Sequence, residues 1–355
     1  MRNLAIGARR LDYDMEVAPV VYSRADHPFV ERLRRDGTPV HLVVARPRHY
    51  LQEVQRLVAV LQRTGADLVH THVYHANFVG FWAARKLGLP VVATIHGFTG
   101  GDRKNRLYEW LDLRFLRWFD RVTCVSEPIR HRVLKAGSSP ERVAVIPNGI
   151  MPVPLLDRAA ARTVLGADRA GPLVGWIGRL SREKGPDLLV EAIARLPHPR
   201  PSVVLIGAGV ERERVEQLIM TNRLDDGSVR LFGERENAAS LLAGFDVLVL
   251  SSRAEGTPVV LLEAMAARIP VVTFAVGGIP RVLDPTSGWL VEPQDIGALS
   301  AAIREAVSDP GEAARRAAAA HRTFEDRFTA ENAVTALSKV YDAVFGEPIK
   351  RRGGR

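Results

Sequence analysis

Ser251-Ser252-Arg253-Ala254-Glu255-Gly256-Thr257-Pro258-Val259-Val260-Leu261-Leu262-Glu263-Ala264-Met265-Ala266 follows the apolar run Asp246-Val247-Leu248-Val249-Leu250. That run reads as a buried strand, and the residues after the polar loop have helical periodicity. Thr257 is a good N-cap and Pro258 a good first helical residue. Glu255 is then expected in the loop at the carboxyl end of a strand, and Glu263 about two turns into the helix. In doubly wound sheets that strand end is where ligands bind. Two carboxylates bracketing a helix start there suggest a site for hydroxyls and an anion.

The same alternation of short apolar strands and helical segments extends in both directions. Strands are expected at 39–44, 67–71, 90–95, 121–125 and 143–146, then at 173–177, 202–206, 229–232, 246–250, 270–274 and 288–291. Helices are expected near 47–64, 75–87, 103–119 and 127–136, then near 186–196, 209–222, 236–243, 258–267, 279–284 and 295–307. Such β-α alternation implies parallel sheets covered on both faces, an α/β fold. Strands are about equally numerous in the two halves, so two doubly wound, Rossmann-like domains are expected. The join is Ile146-Pro147-Asn148-Gly149-Ile150-Met151-Pro152-Val153-Pro154, where Pro, Asn and Gly break both periodicities. The domains are accordingly 1–149 and 150–325, with two long helices, 311–324 and 329–345, near the end.

At 355 residues the chain exceeds one ordinary domain, which agrees with that division. The single cysteine, Cys124, excludes an internal disulfide framework and a Cys-rich zinc site, and is expected in the core. No apolar run approaches the ~20 residues that span a bilayer. Residues 1–10 show no secretory h-region, so a cytoplasmic protein is expected. The formal net charge of +9 admits nucleic acid, anionic membrane or anionic small molecules as partners. No recognisable nucleic-acid motif is present, so nucleic acid is not expected. The concentrated charges are Arg103-Lys104-Asn105-Arg106 and the tail Lys350-Arg351-Arg352-Gly353-Gly354-Arg355.

Gly175-Trp176-Ile177-Gly178-Arg179-Leu180-Ser181-Arg182-Glu183-Lys184-Gly185 carries a glycine-punctuated turn into a helix. Such a loop can cradle a diphosphate, with Arg179 and Lys184 as counter-charges, or can be a solvated basic turn. It lacks the Walker A and Gly-x-Gly-x-x-Gly spacings, which favours neither an ATPase nor a nicotinamide enzyme. Gly207-Ala208-Gly209 reads as a tight turn after a strand. Gly277-Gly278-Ile279-Pro280 lets backbone approach either a ligand or a neighbouring loop. His96 sits at a strand end, in the same kind of crevice as Glu255. His70 and His75 read as structural. The histidines and carboxylates do not show zinc-ligand spacing. Segment 103–119 interleaves Arg103, Lys104, Arg106, Arg114 and Arg117 with Leu107, Trp110, Leu111, Phe115 and Trp118. Such a helix can lie on anionic lipid, but a core-facing apolar stripe with solvated charges is the expectation here.

Together these motifs resemble family 4 of the retaining glycosyltransferases, which have the two-domain GT-B fold. Glu255 and Glu263 stand in that family's Glu-x7-Glu pattern within Ser-x-x-Glu-Gly-x-Pro-x-x-x-Leu-Glu-Ala-Met-Ala. Pro147-Asn148-Gly149 and Gly178-Arg179-Leu180 with Lys184-Gly185 precede it, and Gly277-Gly278-Ile279-Pro280 and Gly288-x-Leu-Val follow it, so the ordered match spans residues 67 to about 300. The resemblance implies two domains facing a cleft, with helix 329–345 packing back on an acceptor-side N-terminal domain. It implies that Arg179 and Lys184 neutralise a leaving nucleoside diphosphate, and that Glu263 holds the ribose. Glu255 would contact the donor sugar, with Gly178, Gly256 and Thr257 near sugar and phosphate and Arg235 beside the base. His96 would line the acceptor side. Fixed cations and a helix N-terminus stabilise a departing diphosphate. The implied donor is a nucleotide sugar, with no metal or other cofactor. The implied acceptor is a glycan or a lipid-linked molecule, with peripheral contact at the inner membrane face as a further partner class. No enzymic nucleophile is assigned.

One departure stands out. Residues before Val17 show neither the first strand nor the Gly-Gly loop of such a domain, and the chain reads as starting inside the expected first helix. The alternative is therefore a catalytically impaired nucleotide-sugar-binding protein. A nucleotide-sugar epimerase of the same fold is disfavoured by the Arg/Lys and Glu-x7-Glu set.

Overall fold

The computed structural model describes residues 2–9, 13–23, 27–47, 49–97, 103–167 and 171–346, with backbone alone at 2–3 and 103–106. The basic tail 350–355 and the side chains of the 103–106 cluster lie outside the described residues. The chain forms two compact units, Met1–Met151 with Ala330–Arg355, and Pro152–Thr329.

The first unit carries a two-stranded parallel sheet, β1 (Val20–Val21) and β2 (Val43–Val44), extended by a bridge from Val17 to Val40. The strand expected at 39–44 is thus regular only at its end. Beside it lies a four-stranded parallel sheet, β3 (Val69–His72), β4 (Val91–Ile95), β5 (Arg121–Cys124) and β6 (Val143–Val145). Its described strands run in sequence order, β3-β4-β5-β6, with no reversal within this sheet. β4 is buried at all five positions, which is why it reads as a continuous apolar run. Cys124 is buried in β5, and burial pushes its thiol up to about 12. Helix Ala330–Phe345 brings Leu337, Val340 and Tyr341 against Val92 and Ile146.

Helix Arg103–Phe115, with the 3-10 turn Leu116–Trp118 after it, corrects the expectation of a core-facing stripe at Leu107, Trp110, Leu111, Phe115 and Trp118. Leu113, Leu116 and Phe119 are the buried residues, Phe115 is half-buried, and Leu107, Trp110, Leu111 and Trp118 are exposed. Both faces of this segment are apolar, so periodicity alone does not choose between them. The choice follows the carboxylates: Glu109 lies 3.6 Å from Arg132, and Asp112 accepts from Asn77 Nδ2 at 2.9 Å, which turns both inward.

The second unit holds one six-stranded parallel sheet formed by β7 (Leu173–Ile177), β8 (Ser202–Ile206), β9 (Val229–Gly233), β10 (Val247–Leu250), β11 (Val271–Phe274) and β12 (Trp289–Val291). The spatial order is β12-β11-β10-β7-β8-β9. Chain order reverses between β7 and β10, which pair directly through Val174–Val247 and Gly175–Leu248. β10 and β11 are buried throughout. The helices expected near 236–243 and 279–284 are 3-10 segments, Ala238–Gly244 and Ile279–Arg281.

Candidate functional site

The reversal between β7 and β10 fixes where the second unit can hold a ligand. Two neighbouring parallel strands whose connections leave in opposite directions open a crevice beyond their carboxyl ends. The loop after β7 is 178–185, and the loop after β10 is 251–258. These are the two segments that the sequence marked for a diphosphate and for hydroxyls.

Lys184 Nζ donates to Glu255 Oε1 at 2.6 Å, and Ser252 Oγ donates to the same oxygen at 2.7 Å. The Glu255 side chain is only 6% exposed and Lys184 24%, so water screens this pair little. Arg253 ties the two loops together. Its guanidinium bonds Asp187 in bidentate fashion at 2.9 and 2.7 Å and donates to the Arg182 carbonyl at 2.8 Å. Its backbone N–H donates to the Glu183 carbonyl at 2.8 Å. Burial alone would raise the Asp187 carboxyl, but the bonds from Arg253 outweigh it and the pKa is lowered. A third tie runs from Trp176 Nε1 to Ser251 Oγ at 3.1 Å and from that hydroxyl to the Gly185 carbonyl at 2.7 Å. Neither Arg253 nor Asp187 was singled out from sequence, although Arg253 sits within the quoted motif. Ser181 Oγ is shielded in the same loop, with no hydrogen-bond partner among the described residues.

The Gly277-Gly278 turn approaches a neighbouring loop. Gly277 holds φ +57°, and a Cβ there would run into the Glu255 carbonyl oxygen. Gly278 N donates to the Gly256 carbonyl at 3.0 Å. The turn therefore buttresses the loop that carries Glu255. Gly207 lies against the other loop: a Cβ there would run into the Gly178 carbonyl oxygen, and Gly178 N donates to the Ile206 carbonyl at 3.0 Å.

The helix after the Glu255 loop is Val259–Ala266, with Pro258 at the N-cap in an extended conformation and no side-chain cap. This corrects the expected start by one residue: the expected cap, Thr257, is buried one position further back. Glu263 is the fifth helical residue, little more than one turn in, rather than two. It is half-buried, and burial raises its carboxyl pKa. Arg179 is 62% exposed and only 4.0 Å from Glu183, so the structure does not bring it to the Lys184–Glu255 pair. Arg235 stacks on the Phe232 ring, 4.4 Å from its centroid, just past β9.

In the first unit, His96 ends a row of three imidazoles at the carboxyl ends of β3 and β4. His70 and His72 stack with centroids 4.5 Å apart, and His72 and His96 at 5.1 Å. His72 Nδ1 and His96 Nε2 are 2.8 Å apart. That hydrogen bond needs one ring nitrogen with a proton and one without. His70 anchors the row, at 2.6 Å from the Tyr341 hydroxyl and 2.7 Å from Thr94 Oγ1. Burial, with repulsion from His96, holds His70 down to about 3. His72 is lowered for the same reasons. His96, open to solvent on one side, is lowered by desolvation against an opposing hydrogen bond from Asn148. Asn148 belongs to the Pro147-Asn148-Gly149 triplet at the join, one of the motifs behind the family resemblance, for which the sequence implied no contact with His96. Val73, directly after β3, holds φ +70°, an outlier for a β-branched residue. Among the described residues no group of three or more His, Cys, Asp or Glu could hold a metal ion.

A doubly wound sheet with paired charges over its switch point defines a nucleotide-type binding unit, and similarity to known proteins narrows the class. Residues 1–152 match the family described as Glycosyltransferase Family 4, and residues 157–323 match Glycosyl transferases group 1. D-inositol 3-phosphate glycosyltransferase of Xylanimonas cellulosilytica is 32% identical over 314 residues, covering 81% of this chain and 74% of that protein. The UDP-Gal:alpha-D-GlcNAc-diphosphoundecaprenol alpha-1,3-galactosyltransferase of Escherichia coli is 27% identical over 268 residues, covering 71% of this chain and 69% of that protein. The crystal structure of Anabaena HepE in complex with UDP-glucose matches with a TM-score of 0.85 at 22% identity, over 96% of this chain and 95% of that one, a likeness of fold. The chain belongs to the family 4 glycosyltransferases. It is a glycosyltransferase with two α/β units of the GT-B type.

Proposed function

We propose that the protein transfers a hexosyl group from a UDP-sugar to a hydroxyl of a glycan or lipid-linked acceptor, with retention at the anomeric carbon and no metal ion. The observation that carries this reading is the Lys184–Glu255 pair across the β7–β10 switch point. In transfer the bond between the anomeric carbon and the diphosphate breaks, and its electron pair leaves with the phosphate. The charge that builds there needs a fixed cation in a site closed to water. Lys184 meets that need, and Arg179, on the same loop, is the second counter-charge. Glu255, released as Lys184 turns to phosphate, accepts from sugar hydroxyls through its carboxylate. Glu263 accepts from the ribose hydroxyls, and Arg235 on Phe232 borders the base. Backbone at Gly178, Gly256 and Thr257 borders sugar and phosphate.

The first unit, with helix Ala330–Phe345, is the acceptor side, and His96 its reactive-face group. A neutral imidazole can take hydrogen bonds from an acceptor without adding charge. The diphosphoundecaprenol-linked acceptor in the Escherichia coli relative's name supports a lipid-linked acceptor here. HepE, solved with UDP-glucose, supports UDP as the nucleotide. No helix among the described residues is long and apolar enough to cross a membrane.

A thermal-shift panel of UDP-, GDP- and ADP-sugars tests the reading, because a ligand that binds only the folded state raises its apparent stability. UDP-sugars should raise the melting temperature, and Lys184→Ala should remove the rise. A rise with GDP- or ADP-sugars alone would correct the nucleotide. No rise with any donor would overturn the reading.

A further inference from the structure

We propose that the solvent-facing side of helix Arg103–Phe115 and the turn Leu116–Trp118 docks on an anionic lipid surface. Leu107, Trp110, Leu111 and Trp118 are exposed by 55, 52, 48 and 51%. Leu107, Trp110 and Leu111, at i, i+3 and i+4, share one face of the α-helix, and Trp118 follows on the 3-10 turn. Tyr74, stacked on Tyr108 with ring centroids 6.1 Å apart, continues this surface onto helix Tyr74–Leu87. Large apolar side chains gathered on one exposed face mark an interaction surface, unlike scattered ones.

The charges on this face choose the partner. Arg114 lies over the Trp110 ring at 5.2 Å, and Arg117 over the Trp118 ring at 5.0 Å. Glu109 and Asp112, the carboxylates of this helix, are engaged inward with Arg132 and Asn77. The outward face therefore presents tryptophan and guanidinium together. Indole rings favour the boundary between water and lipid, and arginines beside them meet anionic headgroups. A symmetric dimer through the same face would set these arginines near their own copies, which is unfavourable. A helix face with half-exposed rings also suits a broad, deformable surface.

The test is sedimentation of the full chain with phosphatidylglycerol-containing vesicles and with pure phosphatidylcholine vesicles. It needs neither donor nor acceptor, so its outcome is independent of the proposed transfer reaction. Binding is expected to the anionic vesicles, weakening as salt rises from about 0.1 to 1 M and screening shortens from about 10 to 3 Å. The exposed triple variant Trp110→Ser/Leu111→Ser/Trp118→Ser should keep the wild-type melting temperature and lose binding at least tenfold. Arg114→Gln and Arg117→Gln should each weaken it by about fivefold. Absence of binding, or equal binding by the folded triple variant, would overturn the proposal. Wild-type self-association that the triple variant abolishes, without vesicle binding, would overturn it in favour of an interface between copies.

Discussion

The Lys184 ammonium and the Glu255 carboxylate are hydrogen-bonded at 2.6 Å, joining the loops that leave the two strands between which the sheet reverses its order. Each group holds the other's charge in a place where either alone would be poorly solvated. In the proposed reaction a phosphate and a sugar hydroxyl replace the two partners at once, which would make the pair a ligand site that closes on itself.

That relationship separates the two groups experimentally. Glu255→Gln removes the internal competitor for Lys184, so UDP alone should bind as well as before or more tightly. Transfer by the same variant should fall by about a hundredfold or more. Calorimetry with UDP and a turnover assay read the two effects, and parallel losses in both would contradict the separate roles.

Gly277→Ala combines a left-handed φ with a collision against the Glu255 carbonyl. A cost of about 1–3 kcal/mol in unfolding free energy is expected, with weaker donor binding because the Glu255 loop must move. Denaturant unfolding at unchanged midpoint would show that the close approach is not present.

Arg253→Ala leaves the 3%-exposed Asp187 carboxylate without its bidentate partner and removes one of the side-chain ties between the two loops. The loss should be about 2–4 kcal/mol, below the largest values for breaking buried pairs because Arg253 is partly exposed. Arg253→Lys should not restore it, since an ammonium cannot span both oxygens. Full stability in the lysine variant would contradict the bidentate role.

His70 is held near 3 while an unfolded chain titrates near 6.5. Between those values the unfolded state binds a proton that the folded state does not. Stability is therefore complete above about pH 6.5 and is lost as pH falls toward 3. His72 acts in the same direction. His70→Asn should be less stable than wild type at pH 8, through the lost bond to Tyr341, yet show a shallower decline in melting temperature on acidification. An unchanged slope would mean that His70 does not carry the acid sensitivity.

The strands were legible where burial is complete, as at 91–95 and 247–250, because a strand hidden on both faces is a continuous apolar run. The loops after β7 and β10 were legible because glycine, cations and a carboxylate interrupt those runs at strand ends. Pairing order was not legible, so the switch point in the second sheet and the unreversed order in the first emerge only in the structure. The side on which helix 103–115 meets the core was missed because apolar residues occupy both faces and the deciding contacts, Glu109–Arg132 and Asn77–Asp112, are distant in sequence. The contacts of Arg253 and Asn148, both within quoted motifs, were not legible for a similar reason: each is a common polar loop residue whose partner lies on another element.

Titration of UDP, GDP and ADP into the full chain and into Lys184→Ala tests the central claim most directly. The account predicts that UDP binds the wild type, and that the variant, still folded, binds it at least tenfold more weakly. Equal affinity of the folded variant for the preferred nucleotide would place the donor site elsewhere and contradict the account.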